Sequence, residues 1–529
     1  MKISEDISQL HERQYYPVCT GIINKSQLSL RDPVNGTYFQ QLLDQKPQLV
    51  KEYPFLPDLF VVEQAYNILL CDKTFTTPTP QSSIKVNPDL EIISSQFCKL
   101  PLLWENINIK PLAGNCFILV YRKPGNGELI EVRDAEPFDL LALKIITEEL
   151  DYRQVAKDNN VSLGTIGNII YSGVQKGILV SPESRIKRGK DFSREVISDE
   201  TFFSSPAFTL QWHITQECDL HCRHCYDRSN RNTTTLEQGI SVLDDLYDFC
   251  CQQFVYGQVT FTGGNPLLHP NFIELYQEAA QRGFLTGILG NPTTKKKITE
   301  IINIRRPNFF QVSLEGLEDH NDYIRGKGHF DRVFKFLEIL KELGVYSMVM
   351  LTLTKENIDQ VLELTKMLRG KVDRFNFNRL SMVGEGAALA SADIDSYPDF
   401  LEKYLEIASK NPFMGVKDNF FNLLQRENSS DHFFGGCAGY GCGAAFNFVS
   451  LLPDGRVDAC RKFDSPMGNI FKNSLSEIYH GELGERYRNG ASSCKDCDIR
   501  VVCRGCMAVT HGMGKNVFED SDPYCFLTR

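Results

Sequence analysis

Three cysteines are spaced closely enough for one short loop to hold a metal cluster. Cys218, Cys222 and Cys225 follow the pattern C-x3-C-x2-C within the run CDLHCRHCY. A cluster of four irons and four sulfides takes four ligands, usually thiolates, so three cysteines leave one iron open to a small molecule. The alternative is a structural zinc site, which needs a fourth protein ligand. The candidates for that ligand are His213, His221 and His224.

A second and larger group of cysteines lies between residues 437 and 525. Eight thiolates are the number that two complete four-iron clusters require. Two zinc-ribbon sites would use the same number, so counting leaves both possibilities open. The eight are Cys437, Cys442, Cys460, Cys494, Cys497, Cys503, Cys506 and Cys525.

The overall composition is that of a large globular chain. Its 529 residues suggest two to four domains; 42% are apolar, 23% are charged, and the formal net charge is -10. This acidity disfavours binding to nucleic acid or to an anionic membrane. The start MKISEDISQL lacks a signal sequence, and no run approaches the roughly 18 apolar residues of a membrane span. We therefore expect a cytoplasmic protein whose clustered cysteines bind metal rather than form disulfides.

Strand and helix patterns alternate in the middle of the chain. Six β-rich segments are separated by helical stretches of suitable length, which predicts an α/β fold. Six units fall two short of a closed barrel, so we expect a partial (β/α)6 TIM barrel over residues 207–393, with its chemistry at the carboxyl ends of the strands. The predicted strands are 208–214, 258–262, 285–289, 309–314, 347–353 and 374–380.

The regions that flank this barrel differ from it in pattern. Residues 1–105 are predicted to form a mainly helical accessory region of unknown function. Residues 106–182 combine two β-rich runs with three helical patterns, which is the order of a winged helix-turn-helix. A polar linker at 183–206 then precedes the barrel. A helical connection at 394–430 leads to the cysteine-rich tail at 431–529, for which we expect an iron-sulfur domain.

The cysteine triplet, its position after the first strand and the units behind it resemble the radical SAM superfamily over about residues 207–390. The resemblance implies that Cys218, Cys222 and Cys225 are catalytic and bind a four-iron cluster whose open iron chelates S-adenosylmethionine (SAM). It also implies an oxidoreductase that cleaves SAM to methionine and a 5'-deoxyadenosyl radical. His224 takes the position before the third cysteine, where the family often has an aromatic residue near adenine.

Further segments match positions of the family that contact SAM. The run TGGNP at 262–266 resembles the family's Gly-Gly-Glu-Pro turn at the methionine amine, with Asn265 in place of the usual glutamate. Arg325 matches the arginine that pairs with the SAM carboxylate, a task that suits a planar guanidinium. Leu380, which closes the sixth strand, is assigned either to adenine contact or to the core. The remaining expected SAM contacts are Gly263 and Gly264 in the turn, and Ser313 and Glu315 near the ribose.

The tail is similar to a SPASM domain, the twin-cluster extension of radical SAM enzymes that modify peptides. This resemblance implies two auxiliary four-iron clusters, and therefore three clusters in all. One cluster is assigned to Cys437, Cys442, Cys460 and Cys506. The other is assigned to Cys494, Cys497, Cys503 and Cys525. The spacing between Cys503 and Cys506 is one residue shorter than is usual in the family.

The winged-helix region commonly serves to bind DNA in other proteins, but its helical part is not basic here. It resembles instead the PqqD-like element that captures the leader of a ribosomally made precursor peptide as an added strand. The domain order therefore implies a peptide maturase, with a flavodoxin or ferredoxin-type protein as electron donor. Thioether crosslinking is the favoured outcome, because it is common among enzymes with this domain order.

Two other functions stay open at the level of sequence. Anaerobic sulfatase maturation, which makes formylglycine, is disfavoured because that family places an aspartate directly after the third tail cysteine, where this chain has Arg461. A non-catalytic zinc or DNA-binding regulator would carry zinc and would not turn over SAM.

Overall fold

The chain forms two compact units in a computed structural model, Met1–Glu183 and Ser184–Arg529. The structure describes residues 16–25, 36–71, 83–124, 129–428 and 432–527. Among these residues, no helix has both the length and the apolar character needed to cross a membrane.

The first unit is built around a three-stranded antiparallel sheet with the order β2-β3-β4. Its strands are β1 (Lys85–Val86), β2 (Glu91–Cys98), β3 (Leu112–Arg122), β4 (Ile130–Asp134) and β5 (Leu179–Val180), and β1 pairs with β5. Its helices are α1 (Pro17–Lys25), α2 (Gly36–Gln45), α3 (Pro47–Glu52), α4 (Leu56–Cys71), α5 (Pro137–Thr147), α6 (Tyr152–Asp158) and α7 (Leu163–Lys176).

Local sequence signals define α6 and α7 well. The side chains of Asp151 and Ser162 cap these helices by accepting hydrogen bonds from the backbone amides of Gln154 and Thr165. The strand β2 was not expected, because the region before residue 105 was predicted to be mainly helical. Its short run EIISSQFC lacks a regular alternation of apolar residues, and pairing with β3 along its length makes it a strand.

The second unit contains a nine-stranded sheet with the order β11-β10-β9-β8-β7-β6-β12-β13-β14. Strands β6 to β11 are mutually parallel, which confirms the predicted partial barrel. They are β6 (Ala207–Thr215), β7 (Tyr256–Gly263), β8 (Leu285–Leu289), β9 (Phe309–Ser313), β10 (Ser347–Leu353) and β11 (Arg374–Arg379). The helices of this region are α8 (Leu236–Gln253), α9 (Phe272–Gln281), α10 (Lys295–Ile304), α11 (Glu318–Arg325), α12 (His329–Glu342) and α13 (Val361–Leu368).

The tail continues the barrel sheet instead of standing apart from it. Strand β12 (Phe448–Leu451) lies parallel to β6, and β13 (Arg456–Asp458) and β14 (Pro466–Asn469) extend the sheet in antiparallel fashion. An open sheet leaves unpaired backbone groups at its edge, and β12 satisfies those of β6. The remaining helices are α14 (Tyr397–Ala408), α15 (Phe421–Glu427), α16 (Leu475–His480), α17 (Glu482–Asn489) and α18 (Met507–Gly512).

The segment predicted as a polar linker differs from that expectation. The second unit begins at Ser184, and Ile186, Phe192 and Phe203 are buried in its core. Residues 184–206, which we call the strap, therefore belong to the packed structure of the second unit. The segment is polar overall, and the few apolar side chains that anchor it in the core are spaced irregularly. The sequence therefore contains no periodic signal for this packing.

The core below the barrel strands is rich in aromatic side chains. The rings of Trp212 on β6 and Phe261 on β7 stack with their centroids 5.9 Å apart, and Phe261 also contacts Phe272 and Tyr276 on α9. All four side chains are almost completely buried. This cluster fixes the first two strands, from whose ends the cysteine loop and the glycine turn emerge.

We predict that Phe261→Ala lowers the free energy of unfolding of the second unit by about 3–5 kcal/mol, because the substitution leaves a cavity between two strands and a helix. The measurement is urea denaturation followed by the fluorescence of Trp212. Trp104→Phe is the background, since Trp104 is the other tryptophan of the chain. Tyr346→Ala, at a side chain that is 46% exposed, should change the value by no more than about 0.5 kcal/mol.

Candidate active site

The cysteine triplet lies on the loop that follows β6, at the carboxyl ends of the barrel strands. Cys218, Cys222 and Cys225 all line one cavity of about 600 Å³. The same cavity is lined by residues that end other barrel strands or follow them, including Gly263, Ser313 and Leu380. A site at the carboxyl ends of parallel strands is where this type of fold places its chemistry. The parallel strands of the barrel therefore position the cysteine loop.

The Gly263–Gly264 turn packs directly against the start of the cysteine loop. The Gly264 amide donates to the carbonyl of Thr215, and the Asn265 amide donates to the carbonyl of Glu217. A Cβ atom on Gly264 would lie 2.1 Å from the Glu217 carbonyl oxygen, and Gly263 has a φ of +133°. Only glycine fits both positions. The turn therefore supports the cysteine loop, in addition to the predicted contact with the methionine amine.

Asn265, which replaces the usual glutamate of the family, contacts the cysteine loop through its side chain. Its Nδ2 donates to Asp219 Oδ1 at 2.9 Å, and Asn291 Nδ2 donates to the same oxygen at 2.6 Å. A glutamate at position 265 has no such donor and would repel Asp219. Sequence reasoning missed Asp219 and Asn291, and the position of Asn291 shortly after β8 was the available signal.

A buried carboxylate, Glu315, connects the cysteine loop to the strands opposite it. Its Oε1 accepts hydrogen bonds from Arg325 Nε at 2.8 Å and Nη2 at 2.6 Å, and lies 3.1 Å from His224 Nε2. Its Oε2 accepts from the backbone amide of Thr352 at 2.7 Å. Burial by itself would raise the pKa of Glu315, but the charges of His224 and Arg325 outweigh burial and hold that pKa far below its usual range. The carboxylate is therefore ionised at neutral pH.

Because Arg325 and Glu315 bind each other, few of their polar atoms remain available to bind a ligand. Two of the guanidinium nitrogens of Arg325 face Glu315, while Nη1 lies 3.6 Å from Cys222 Sγ. Arg325 lines the cavity, whereas Glu315 is 1% exposed and does not. The assignments of Arg325 to the SAM carboxylate and of Glu315 to the ribose stay predictions. On this geometry, Glu315 orients Arg325 beside the cysteines.

Leu380 and His224 both lie at the cavity and are largely enclosed. Leu380 is 4% exposed and lines the cavity, so its position is compatible with a role in the core and with contact to a ligand. His224 also lines the cavity, and its Nδ1 has no hydrogen-bond partner among the described residues. Both assignments to adenine stay predictions.

Each of the three histidines that could be a fourth zinc ligand contacts another side chain through one of its ring nitrogens. His221 Nδ1 contacts Arg228 Nη1 at 2.7 Å, His224 contacts Glu315, and the buried His213 contacts the Tyr226 hydroxyl at 3.4 Å. No three His, Cys, Asp or Glu side chains in the described part of the chain are arranged around a single ion. A four-iron cluster differs in this respect, since each thiolate binds a separate iron.

One predicted group of tail cysteines shares a single cavity of about 290 Å³. Burial raises the pKa of Cys460 to about 11 and of Cys506 to about 12. Thiols with such pKa values need a metal or a nearby cation to become thiolates. The cysteines that line this cavity are Cys437, Cys442, Cys460 and Cys506, the set assigned to one auxiliary cluster.

The other predicted group is also gathered in space. Burial raises the pKa of Cys503 well above its usual value, and three neighbouring thiols raise it further. These neighbours are Cys494, Cys497 and Cys525. The grouping of the eight cysteines thus matches the two predicted sets, although which cysteines ligate which cluster stays a prediction.

Fold and site together define an iron-sulfur enzyme built on a partial TIM barrel. Residues 212–368 match the model of the radical SAM superfamily, and residues 442–507 match that of SPASM, the iron-sulfur cluster-binding domain. The chain therefore contains a radical SAM domain followed by a SPASM domain, as the resemblance of its cysteine motifs implied. Its cofactors are SAM, the four-iron cluster that binds SAM, and auxiliary four-iron clusters.

The chain is similar to several curated proteins at low identity. It is 25% identical to Fe-coproporphyrin III synthase of Methanosarcina barkeri, over 66% of this chain and 95% of the relative. It is 23% identical to the antilisterial bacteriocin subtilosin biosynthesis protein AlbA of Bacillus subtilis, over 61% and 72%. It is 27% identical to mycofactocin maturase MftC of Mycolicibacterium smegmatis, over 60% and 82%.

Among solved structures, the chain shares its fold with Streptococcus suis SuiB bound to the precursor peptide SuiA. The TM-score is 0.51 at 17% sequence identity, and the match covers 78% of this chain and 96% of SuiB. Since the second unit contains residues 184–529, a match of this extent must include part of the first unit.

We predict that Glu315→Gln destabilises the second unit by about 3–5 kcal/mol, because it leaves the buried Arg325 guanidinium without its counter-charge. The lowered pKa of Glu315 means that its stabilising effect is complete above the unfolded value of about 4.3 and is lost as the pH falls below it. The variant should therefore lose part of the acid sensitivity of the wild type.

Urea denaturation at several pH values, followed by Trp212 fluorescence in the Trp104→Phe background, measures this effect. Glu318→Gln, an exposed residue at the start of α11, is the matched control and should behave as the wild type. Equal behaviour of Glu315→Gln and Glu318→Gln would contradict the assigned role of the pair.

Proposed function

We propose that this enzyme modifies a ribosomally made precursor peptide and forms a thioether crosslink in it. The observation that carries the proposal is the fold shared with SuiB, which extends beyond the catalytic unit and belongs to a protein crystallised with its precursor peptide. The names of two relatives, a bacteriocin biosynthesis protein and a maturase, agree with it. A flavodoxin or ferredoxin-type protein is the proposed electron donor.

The residues of the cavity fit the chemistry of the proposed cofactor. With SAM bound, the cluster would supply one electron for SAM cleavage and thereby a 5'-deoxyadenosyl radical. The cluster would be held by Cys218, Cys222 and Cys225. Arg325 would bind the SAM carboxylate through its nitrogen Nη1. The polar residues Thr262 and Arg461 line the same side of the cavity and bind each other at 3.3 Å. They would contact the peptide segment that is modified.

Arg461 also argues against formylglycine formation. Its side chain lies in the cavity at the position where the sulfatase-maturating family has an aspartate. A guanidinium stays protonated in proteins and cannot accept the proton that this aspartate would take. The structure supplies no carboxylate at this position.

The first unit offers an edge on which a leader peptide could pair. Strand β2 lies at one end of the three-stranded sheet, and its outer edge pairs with no strand among the described residues. The Gln96 amide on that edge is bonded to Asp58 Oδ2. Because amides alternate in direction along a strand, those of Ile92 and Ser94 face the same outer side. We therefore infer that the leader adds as a strand beside residues 91–94.

One prediction of the proposed function concerns the cofactor. After anaerobic reconstitution, Cys222→Ala should contain about four fewer irons per chain than the wild type and should form no 5'-deoxyadenosine under strong reductant. Cys251→Ala, at an exposed cysteine outside all three predicted sets of cluster ligands, should retain full iron content and turnover. Zinc in place of iron in the wild type would reject the enzyme assignment.

The peptide itself is tested with the product of a short reading frame beside the gene. Mass spectrometry should show the loss of two hydrogen atoms and of one alkylatable cysteine thiol, because a thioether consumes that thiol. Loss of hydrogen with the thiol still reactive would reject the thioether and favour another oxidation. Turnover of an iron-coproporphyrin instead of the peptide would reject peptide maturation, and the similarity to Fe-coproporphyrin III synthase makes that control necessary.

A further prediction tests leader recognition. Ser94→Pro removes one outward amide from the edge of β2, where proline is tolerated because the ladder to β3 does not use that amide. We expect the KM for the precursor peptide to rise at least tenfold, with SAM cleavage in the absence of peptide unchanged. Ser94→Ala keeps the amide and should behave as the wild type. Equal KM values for the two variants would place the leader elsewhere.

A further inference from the structure

The strap (residues 184–206) carries a buried arginine into the cysteine-rich tail. It folds back on itself, since the Ser205 amide donates to the Ile186 carbonyl and the Arg188 amide donates to the Phe203 carbonyl. Packing of Phe192 and Phe203 into the core fixes both arms. The side chain of Arg188 is thereby directed inward, and the residue is 6% exposed.

Arg188 binds only neutral groups. Its Nη2 donates to the carbonyl oxygens of Tyr440 at 2.9 Å and Cys442 at 3.2 Å, and Nη1 donates to that of Arg488 at 3.3 Å. The guanidinium lies 3.7 Å from the centre of the Phe446 ring. Among the described residues no carboxylate forms an ion pair with it. The charge of Arg188 is therefore not balanced by the protein around it.

A second arginine approaches the same peptide group. Arg504 Nη1 donates to the Cys442 carbonyl at 2.9 Å, and its Nη2 donates to the Tyr487 carbonyl at 2.6 Å. Arg504 is 7% exposed and, like Arg188, forms no ion pair within the described part of the chain. Two guanidinium groups thus converge on one carbonyl oxygen, that of a predicted cluster ligand.

This arrangement is costly unless negative charge is added to it. Both guanidinium groups are buried and donate to the same oxygen, the carbonyl of Cys442. An unbalanced buried charge costs several kcal/mol, and two such charges side by side repel each other. The neighbouring cysteines are the groups that would bring negative charge, because thiolate ligands and the cluster they hold are anionic together. Cys442 belongs to one predicted set, and Cys503, adjacent to Arg504, belongs to the other.

We propose that Arg188 and Arg504 are the counter-charges of the auxiliary clusters, and that they raise the reduction potential of the cluster held through Cys442. Reduction adds a negative charge, which nearby buried cations stabilise. A higher potential makes this cluster a better electron acceptor, as a net oxidation of the substrate requires. The proposal rests on the assignment of the tail cysteines as ligands and does not depend on the identity of the peptide.

The other buried arginines of the second unit do not have this property. Arg379 is paired with Asp418 and Asp522, and Arg500 is paired with Asp191. Arg188 and Arg504 therefore stand out because their charge is buried without a carboxylate, and not because they are arginines.

The test is a redox titration followed by electron paramagnetic resonance on the full chain, reconstituted anaerobically. Cysteines 218, 222 and 225 are replaced by alanine so that only the auxiliary clusters contribute. Arg188→Gln keeps a hydrogen-bond donor but loses the charge, and we expect the equilibrium constant for reduction to fall at least tenfold, a shift of about 59 mV to more negative potential. Arg188→Lys retains the charge and should stay near the wild-type potential.

Arg486→Gln, at an exposed arginine of α17, is the matched control and should leave the potential unchanged, because water screens its charge. An unshifted potential in an Arg188→Gln protein with full iron content would overturn the proposal. So would an equal shift in Arg188→Gln and Arg188→Lys, since hydrogen bonding and not charge would then be responsible.

If Arg188→Gln does not retain its iron, Arg504→Gln replaces it, with the same expected shift. Loss of iron in both glutamine variants with full iron in Arg188→Lys supports the role of charge, whereas loss in Arg188→Lys as well overturns it. No peptide is present in these measurements, so their failure leaves the proposed function untouched, and failure of the peptide assays does not alter the potentials.

Discussion

The ion pair between Glu315 and Arg325 is the contact on which the geometry of the cavity around the cysteine loop depends. Glu315 follows β9 and binds Arg325, the last residue of α11. The second carboxylate oxygen of Glu315 accepts a hydrogen bond from the backbone amide of Thr352 on β10. His224 brings the cysteine loop to the same carboxylate. A loop with three cysteines has no regular structure of its own, so its position must be set by contacts to strands and helices. This one buried carboxylate provides several of them.

The glycine turn restrains the other end of the same loop. Gly264 and Asn265 bind the main chain that leads from β6 into the cysteines, and the Asn265 side chain binds Asp219 within the loop. The loop is therefore restrained from the β7 side by hydrogen bonds and from the β9 side by the contact of His224 with Glu315. The replacement of the family glutamate by Asn265 is consistent with this arrangement, because the amide supplies the donor that Asp219 requires.

The sequence predicted those features of the fold and site that depend on the spacing of residues along the chain. The six parallel strands and the positions of the cysteines follow from alternation and from intervals, and both are local properties. The strap was not predictable, because its apolar anchors are separated irregularly and face the core only after the chain has folded. The pairing of β12 with β6 could not be foreseen either, because more than 200 residues separate the two strands in the sequence. Ion pairs such as that of Arg379 with Asp522, which are 143 residues apart, also depend on long-range contacts.

The difference between local spacing, which the sequence shows, and long-range contacts, which it does not, matters most for the charges in the cluster domain. Cysteine spacing predicts the ligands, but the potential of a cluster also depends on which charges are buried near it, and those come from distant segments. Arg379 is neutralised by two aspartates, whereas Arg188 and Arg504 donate to carbonyl oxygens alone. A peptide carbonyl offers only a partial negative charge, too little to balance two guanidinium groups. On the proposed assignment, the cysteine thiolates and the clusters they hold supply the negative charge that balances these two guanidinium groups.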